Sequence, residues 1–135
     1  MKKTIAEKKG VSLEDIKINA PLDEWFYEML KKSEDELSVR DISHMLRQEV
    51  YLDIAVSLGW KKIIENPLCG EMYEGQMLDL LTRVFVHNPE YKDYELFRRF
   101  EKRMKEVYES YQWDTDYEEK EVDKSLVNFR QLFLS

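Results

Sequence analysis

The sequence predicts an all-α fold, a compact single-domain bundle of about five or six helices. The chain has 135 residues but only four Gly and three Pro, too few for the many tight turns of a β-barrel or sandwich. Apolar residues recur three and four positions apart through most of the chain, and nothing alternates with period two for long enough to require a sheet. The length and a 43% hydrophobic content suit one core, so we expect one domain over residues 1–135.

The N-terminal third predicts a lead-in and two helix starts. Residues 1–12 carry four lysines and no apolar pattern, so we expect a frayed lead-in. Residues 21–32 place apolar side chains at helical spacing, with acids in the first turn, where the helix dipole favours them. Ser38-Val39-Arg40-Asp41 matches a capping box, which predicts that the next helix starts at Ser38. Its apolar pattern continues to Ile64, with a kink or break at Leu58-Gly59, since Gly inside a helix costs about 1 kcal/mol relative to Ala.

The rest of the chain predicts one loop and three further helices. Residues 66–75, NPLCGEMYEG, hold turn-forming residues and are the predicted central loop. Helical spacing resumes at residues 77–85, after which Asn88-Pro89 suits a helix start with Pro at its first position. One apolar stripe over residues 96–111 predicts the longest helix, and apolar steps of four, three and four over residues 122–133 predict a final one.

Composition excludes several classes of function. The net charge of −7 and a pI near 5.0 argue against direct nucleic-acid binding and favour a basic partner. No apolar run approaches the roughly 20 residues of a membrane-spanning helix, and the first residues lack the apolar stretch of a signal peptide. The single Cys cannot form an internal disulfide, which suits a reducing compartment. We therefore expect a cytoplasmic protein that contacts no membrane.

The sequence lacks the motifs of the common enzyme classes. It contains no glycine-rich phosphate loop, GxSxG or HExxH, so we expect no catalytic residues, no cofactor and no metal. Asp41 and His44 have the spacing of di-iron ligands, but His87 lacks a matching carboxylate at Val84. Cys69 has no local signature of an activated thiol. A small hydrolase with a carboxylate site stays an alternative, because acidic residues are abundant.

Acidic residues cluster in two stretches that also carry aromatic side chains. Residues 109–123 contain seven acids and one base, and residues 65–80 contain four acids and no Lys or Arg. One interpretation is a docking surface for a basic protein, in which acids steer association and aromatics supply anchors. The other is a solvated connection whose aromatics pack onto the core. The docking hypothesis selects these partner-binding residues: Glu71, Tyr73, Glu74, Trp113, Asp114, Asp116, Tyr117, Glu118 and Glu119.

The segment Leu37–Leu81 resembles the immunity proteins of bacterial contact-dependent growth inhibition (CDI) systems, the CdiI type. The resemblance rests on a short helix ending in Leu46-Arg47-Gln48, a second helix led by Tyr51-Leu52, and a loop with this pattern: Asn66-Pro67, Gly70-Glu71, Tyr73 and Gly75. It implies a cytoplasmic protein that binds and blocks the cognate CdiA C-terminal toxin domain, often a nuclease, without catalysis. It identifies no contact residues. Another acidic interaction module, such as an antitoxin or a phage-encoded inhibitor, stays an alternative.

Overall fold

A computed structural model describes residues 2–134 and confirms the all-α prediction. Within that range there are seven α-helices, slightly more than the five or six predicted, and no β-strand beyond an isolated bridge between Thr4 and Ser33. Three short 3₁₀ turns accompany them. The α-helices are α1 (Ile5–Lys9), α2 (Pro21–Leu30), α3 (Val39–Gln48), α4 (Leu52–Glu65), α5 (Gln76–His87), α6 (Tyr94–Tyr108) and α7 (Asp116–Leu134).

The backbone contacts divide the chain into two compact units. The first extends to Asp41 and the second begins at Ile42. The first unit contains α1 and α2, whereas the second contains α4 to α7. The expectation of a single domain over the whole chain stays a prediction.

The first unit contains a helix where the sequence analysis predicts a frayed lead-in. Helix α1 begins with a capping box in which the Thr4 hydroxyl accepts from the Glu7 amide at 3.2 Å and the Glu7 carboxylate accepts from the Thr4 amide at 3.2 Å. Gly10 ends it in the left-handed region with φ +65°. The side chain of Ile5 is fully buried. Five residues are too few to show an apolar period, so only the capping signal could reveal this helix.

Helix α3 starts where the capping box predicts. The Asp41 amide donates to the Ser38 hydroxyl, and the Ser38 amide donates to the Asp41 carboxylate, each at 3.1 Å. These bonds satisfy backbone groups that have no partner inside the helix. The helix then ends at Gln48, and α4 begins after Tyr51, as the resemblance implies.

Of the predicted kink or break at Leu58-Gly59, the break is wrong. Helix α4 continues through Gly59, and the chain breaks earlier, where Glu49 and Tyr51 adopt φ values of +53° and +46°. A Cβ atom on Gly59 would lie 3.0 Å from Leu81 Cδ2. The glycine therefore permits close packing of α4 against α5, which compensates for its low helix propensity.

Aromatic side chains form the core of the second unit. The Trp60 ring stacks on Phe85 with centroids 5.5 Å apart, and Phe97 stacks on Phe133 at 4.5 Å. Burying a side chain such as Phe85 contributes roughly 1.5–3 kcal/mol. The longest helix is α7, with 19 residues, and not α6 with 15, which corrects the sequence prediction. The first turns of α7 are polar, so apolar spacing could not place their start.

Candidate functional site

The two acidic stretches meet at a groove in the second unit. The groove has a volume of about 370 Å³ and lies between the loop that precedes α5, the first turn of α5 and the first half of α7. We call it the acidic groove. Its lining residues are Tyr73, Glu74, Asp79, Tyr117, Glu118, Glu121 and Ser125.

Local structure brings the two walls of the acidic groove together. Gly75 ends the loop in the left-handed region with φ +87°, and a Cβ atom there would lie within 4.0 Å of Val122 and Ser125 on α7. The loop therefore passes directly over α7. Within α7, residues 118, 121 and 125 are three and four positions apart, a spacing that places them on one helix face.

The acidic groove concentrates negative charge. Among the residues that the structure describes, its lining includes four carboxylates and no Lys or Arg. One turn further on, Lys124 contacts Glu121 at 3.1 Å, an exposed pair of a kind that contributes little. The Tyr73 hydroxyl donates to Asp79 at 2.9 Å. Burial, the hydrogen bond to Asp79 and the Asp79 charge together raise the pKa of Tyr73 to about 12.

The loop that forms one wall is held by internal hydrogen bonds. Gln76 is only 5% exposed, and its side-chain oxygen accepts from the Met72 amide at 2.7 Å. The Gly75 amide donates to the Leu68 carbonyl at 2.9 Å, and a Cβ atom on Gly70 would lie 2.2 Å from the Tyr73 carbonyl oxygen. The side chains of Met72 and Tyr73 are nevertheless 75% and 53% exposed. The loop backbone is therefore hydrogen-bonded within the chain, while two of its side chains are exposed.

Four of the nine residues of the docking hypothesis line the acidic groove: Tyr73, Glu74, Tyr117 and Glu118. Trp113 packs against the Tyr111 ring, with centroids 4.5 Å apart, as the packing interpretation predicts. Burial, followed by the charge of Glu74 and a hydrogen bond to it, raises the pKa of Tyr111, so this aromatic pair adjoins the loop wall. Tyr117 is 73% exposed and fits the docking interpretation instead.

Besides Trp113, four residues of that hypothesis lie outside the groove lining. The exposed ones are Glu71, Asp114 and Asp116, and the half-buried one is Glu119. The charge of Glu119 helps to raise the pKa of Tyr108, whose hydroxyl donates to Asp123. Glu119 therefore belongs to the α6 side of α7 and not to the groove side.

Three of the lining residues, Asp79, Glu121 and Ser125, are not among the nine predicted partner-binding residues. Asp79 and Glu121 belong to the two acidic stretches, so charge alone includes them. Ser125 adds no charge, and its hydroxyl donates to the Glu121 carbonyl at 3.2 Å. The signal for Glu121 and Ser125 is their spacing from Glu118, which becomes informative only once α7 is known to pack against α5.

Asp41 and Cys69, the candidates for metal binding and for nucleophilic catalysis, have other roles in the part of the chain that the structure describes. The Asp41 carboxylate accepts from Lys32 at 2.8 Å and from the Trp25 indole at 3.1 Å. Burial acts to raise the pKa of Asp41, but these bonds and the Ser38 amide outweigh it and hold that pKa below its usual value. Burial raises the pKa of Cys69 to about 11, so its thiol is protonated at neutral pH. Within residues 2–134, no cluster of three or more His, Cys, Asp or Glu is arranged to hold a metal ion.

Comparison with known families decides the class of the protein. A sequence model described as CDI immunity proteins matches residues 7–96, more than half of the chain. The chain belongs to the CDI immunity protein family. No curated protein and no solved structure matches it.

Only one wall of the acidic groove of this immunity protein lies within the residues that the family model matches. Tyr73, Glu74 and Asp79 lie inside the matched range, whereas the α7 wall lies beyond residue 96. None of the helices of residues 2–134 combines the length and the apolar character needed to cross a membrane.

Proposed function

We propose that this immunity protein neutralises its cognate CdiA C-terminal toxin domain by stoichiometric binding through the acidic groove, in the cytoplasm and without turnover. Family membership supplies the class of partner. The observation that carries the binding site is the groove itself, where four carboxylates lie beside exposed tyrosines with no Lys or Arg among the lining residues that the structure describes.

The charge of the acidic groove favours a basic toxin domain. Clefts lined by charges of one sign raise the local concentration of an oppositely charged partner and speed its association. A nuclease presents basic residues where it contacts phosphate. We therefore propose that the toxin is a nuclease whose basic surface is covered by the groove.

Aromatic side chains on the groove rim complement this charge. Tyr73 and Tyr117 are more than half exposed, although Tyr side chains are on average partly buried. Tyr is enriched among the residues that dominate binding energy at interfaces. We propose these two residues as anchors, with Glu74 and Glu118 as their charged neighbours. Around them, the proposed rim consists of Glu71, Trp113, Asp114, Asp116 and Glu119.

A growth assay tests the proposed function. The CdiA C-terminal domain encoded at the same locus is induced in cells with and without this protein. We expect toxicity without the immunity protein and restored growth with it. Calorimetric titration of the two purified proteins should give one immunity protein per toxin domain. Toxicity that persists beside a soluble, helical immunity protein would reject the proposal.

Sub-stoichiometric mixtures distinguish blockade from catalysis. With half an equivalent of immunity protein, we expect half of the toxin activity to remain after any length of preincubation. A residual activity that keeps falling with time would indicate turnover of the toxin and would contradict stoichiometric inhibition.

A further inference from the structure

We infer that Met72 and Tyr73 form a preformed anchor that inserts into a concave, basic-rimmed site on the toxin domain, and that Gln76 is the residue that positions this anchor. The inference rests on the proposed function and assigns a role to a buried side chain that the acidic groove alone does not explain.

The position of Gln76 carries the first part of the argument. It is the first residue of α5 and is 5% exposed, yet its side chain turns back to accept the Met72 amide at 2.7 Å. Without this bond, that amide in the loop would have to be satisfied by water or would remain unpaired. A long polar side chain is costly to bury unless it makes such a bond. Gln76 therefore fixes the backbone at the residue whose side chain is the most exposed of the large apolar side chains described.

Tyr73 is also held by contacts within the chain. Its hydroxyl donates to Asp79 at 2.9 Å, which ties the ring to the first turn of α5 while 53% of the residue stays exposed. The Gly70 backbone lies so close to the Tyr73 carbonyl that a Cβ atom there would be 2.2 Å away. The ring is thus bonded, and the backbone closely packed, within the chain itself. Ordering a loop beforehand removes a cost that binding would otherwise carry.

Charge and shape identify the kind of site that receives the anchor. Two apolar side chains project between Glu71 and Glu74, so a matching surface is a cleft with an apolar floor and a basic rim. The flexible thioether of Met72 can adapt to the contour of such a floor. The partner is therefore a toxin domain that presents a basic cleft at the contact, and not one that presents a flat surface there.

Amide hydrogen exchange tests the positioning by Gln76 directly. In the wild type, we expect the Met72 amide to exchange slowly although its side chain is exposed. Gln76→Leu removes the acceptor and should abolish this protection. Gln76→Glu keeps an acceptor oxygen and should retain it. Unchanged protection in Gln76→Leu, or loss of protection in both variants, would overturn the positioning role.

A double-mutant cycle with the toxin domain tests the anchor. We expect Met72→Ala, which changes an exposed side chain, to weaken binding about tenfold, more than the truncation of most interface residues does. Gln76→Leu should weaken binding by a similar factor, and the double variant should be little weaker than either one. A general effect of Gln76 on stability would instead multiply with that of Met72→Ala. Multiplicative losses, or no loss in either single variant, would reject the inference.

The two proposals fail in different ways. If the wild-type protein does not bind the toxin domain, the proposed function fails. If the wild type binds and the Met72 and Gln76 variants bind equally well, the proposed function stands and the anchor is rejected. Circular dichroism and urea unfolding of each variant verify that it is folded before binding is compared.

Discussion

Helix α7 has two polar faces, and the charged side chains on these faces have different surroundings. On the face toward the acidic groove, Glu118 and Glu121 line a surface that includes no Lys or Arg among the residues described. On the face toward α6, Arg130 contacts both carboxylate oxygens of Glu101 at 2.6 and 3.0 Å, and Asp123 accepts from the Tyr108 hydroxyl. On the first face the ion pair of Glu121 with Lys124 is exposed and contributes little, whereas on the second the pair of Arg130 with Glu101 is partly buried.

The difference shows why a run of acids is ambiguous evidence. Asp123 and Glu121 are two residues apart and belong to the same acidic stretch. A helix turns by about 100° per residue, so they point in directions roughly 160° apart. One belongs to the fold and the other to the proposed binding surface. The ion pair of Glu121 with Lys124 is exposed and weak, so the Glu121 charge stays available to a partner.

The largest expected effect comes from reversing charge inside the acidic groove. We expect the double variant Glu74→Lys, Glu118→Lys to associate with the toxin domain about 10–100-fold more slowly at low salt, because it replaces attraction with repulsion at the contact. Stopped-flow or biosensor kinetics measure the rate. Since both positions are on the surface, the urea midpoint should change little.

A matched variant separates local contact from overall charge. Glu14→Lys, Asp15→Lys changes the net charge by the same amount, at exposed positions outside both the groove lining and its proposed rim. We expect it to slow association by less than about threefold, since only long-range steering is affected. Equal losses in the two double variants would mean that net charge, and not the groove, governs binding.

On the α6 face we expect a smaller effect, which changes the stability of the protein and not its binding. Glu101→Gln removes the charge that pairs with Arg130 at a partly buried position. We expect a loss of about 1 kcal/mol in the free energy of unfolding, with toxin affinity unchanged. The loss is smaller than the roughly 1.5–3 kcal/mol of a hydrogen bond to a charged group because Gln keeps one acceptor oxygen. Urea unfolding and titration calorimetry provide the two values. Loss of affinity at constant stability would reverse the roles assigned to the two faces.

Much of the fold could be predicted because the relevant signals are local. Apolar spacing predicts the main helices, and Ser38 with Asp41 specifies the start of α3 through neighbouring side chains. The chain break at Glu49 and Tyr51 gives no such signal, since it depends on left-handed backbone at residues that are neither Gly nor Asn. At Gly59 the local propensity misleads, because its reason is a contact with Leu81 22 residues away.

Local signals in the sequence also identify about half of the candidate site. Acid counting finds Glu74 and Glu118 without any knowledge of the fold. It cannot separate them from Asp114 or Glu119, which carry the same charge in other directions. That distinction requires the pairing of α5 with α7, a long-range feature that no motif in this sequence specifies. The role of Gln76 is equally hidden, because it depends on one hydrogen bond within a folded loop.

The smallest expected effect concerns the two tyrosines that donate to acids, one on each side of α7. The pKa values of Tyr73 and Tyr108 are raised to about 12, in each case by burial first and then by the hydrogen bond and charge of Asp79 or Asp123. A folded-state pKa above the unfolded value of 10.0 means that the stabilisation is complete below pH 10 and is lost as pH rises toward 12.

Comparison of Tyr73→Phe and Tyr108→Phe with the wild type therefore gives a pH-dependent difference. Below pH 10 we expect each variant to be less stable by a few tenths of a kcal/mol, as for exposed polar contacts, and the gap should shrink between pH 10 and pH 12. Urea unfolding at pH 9 and pH 11 measures this gap. If the difference in stability stays constant between pH 9 and pH 11, the two carboxylates do not raise the pKa values of the tyrosine hydroxyls. In that case the bond from Tyr108 to Asp123 would not account for the stabilisation on the α6 face, and the contrast between the two faces of α7 would rest on the ion pair of Arg130 with Glu101 alone.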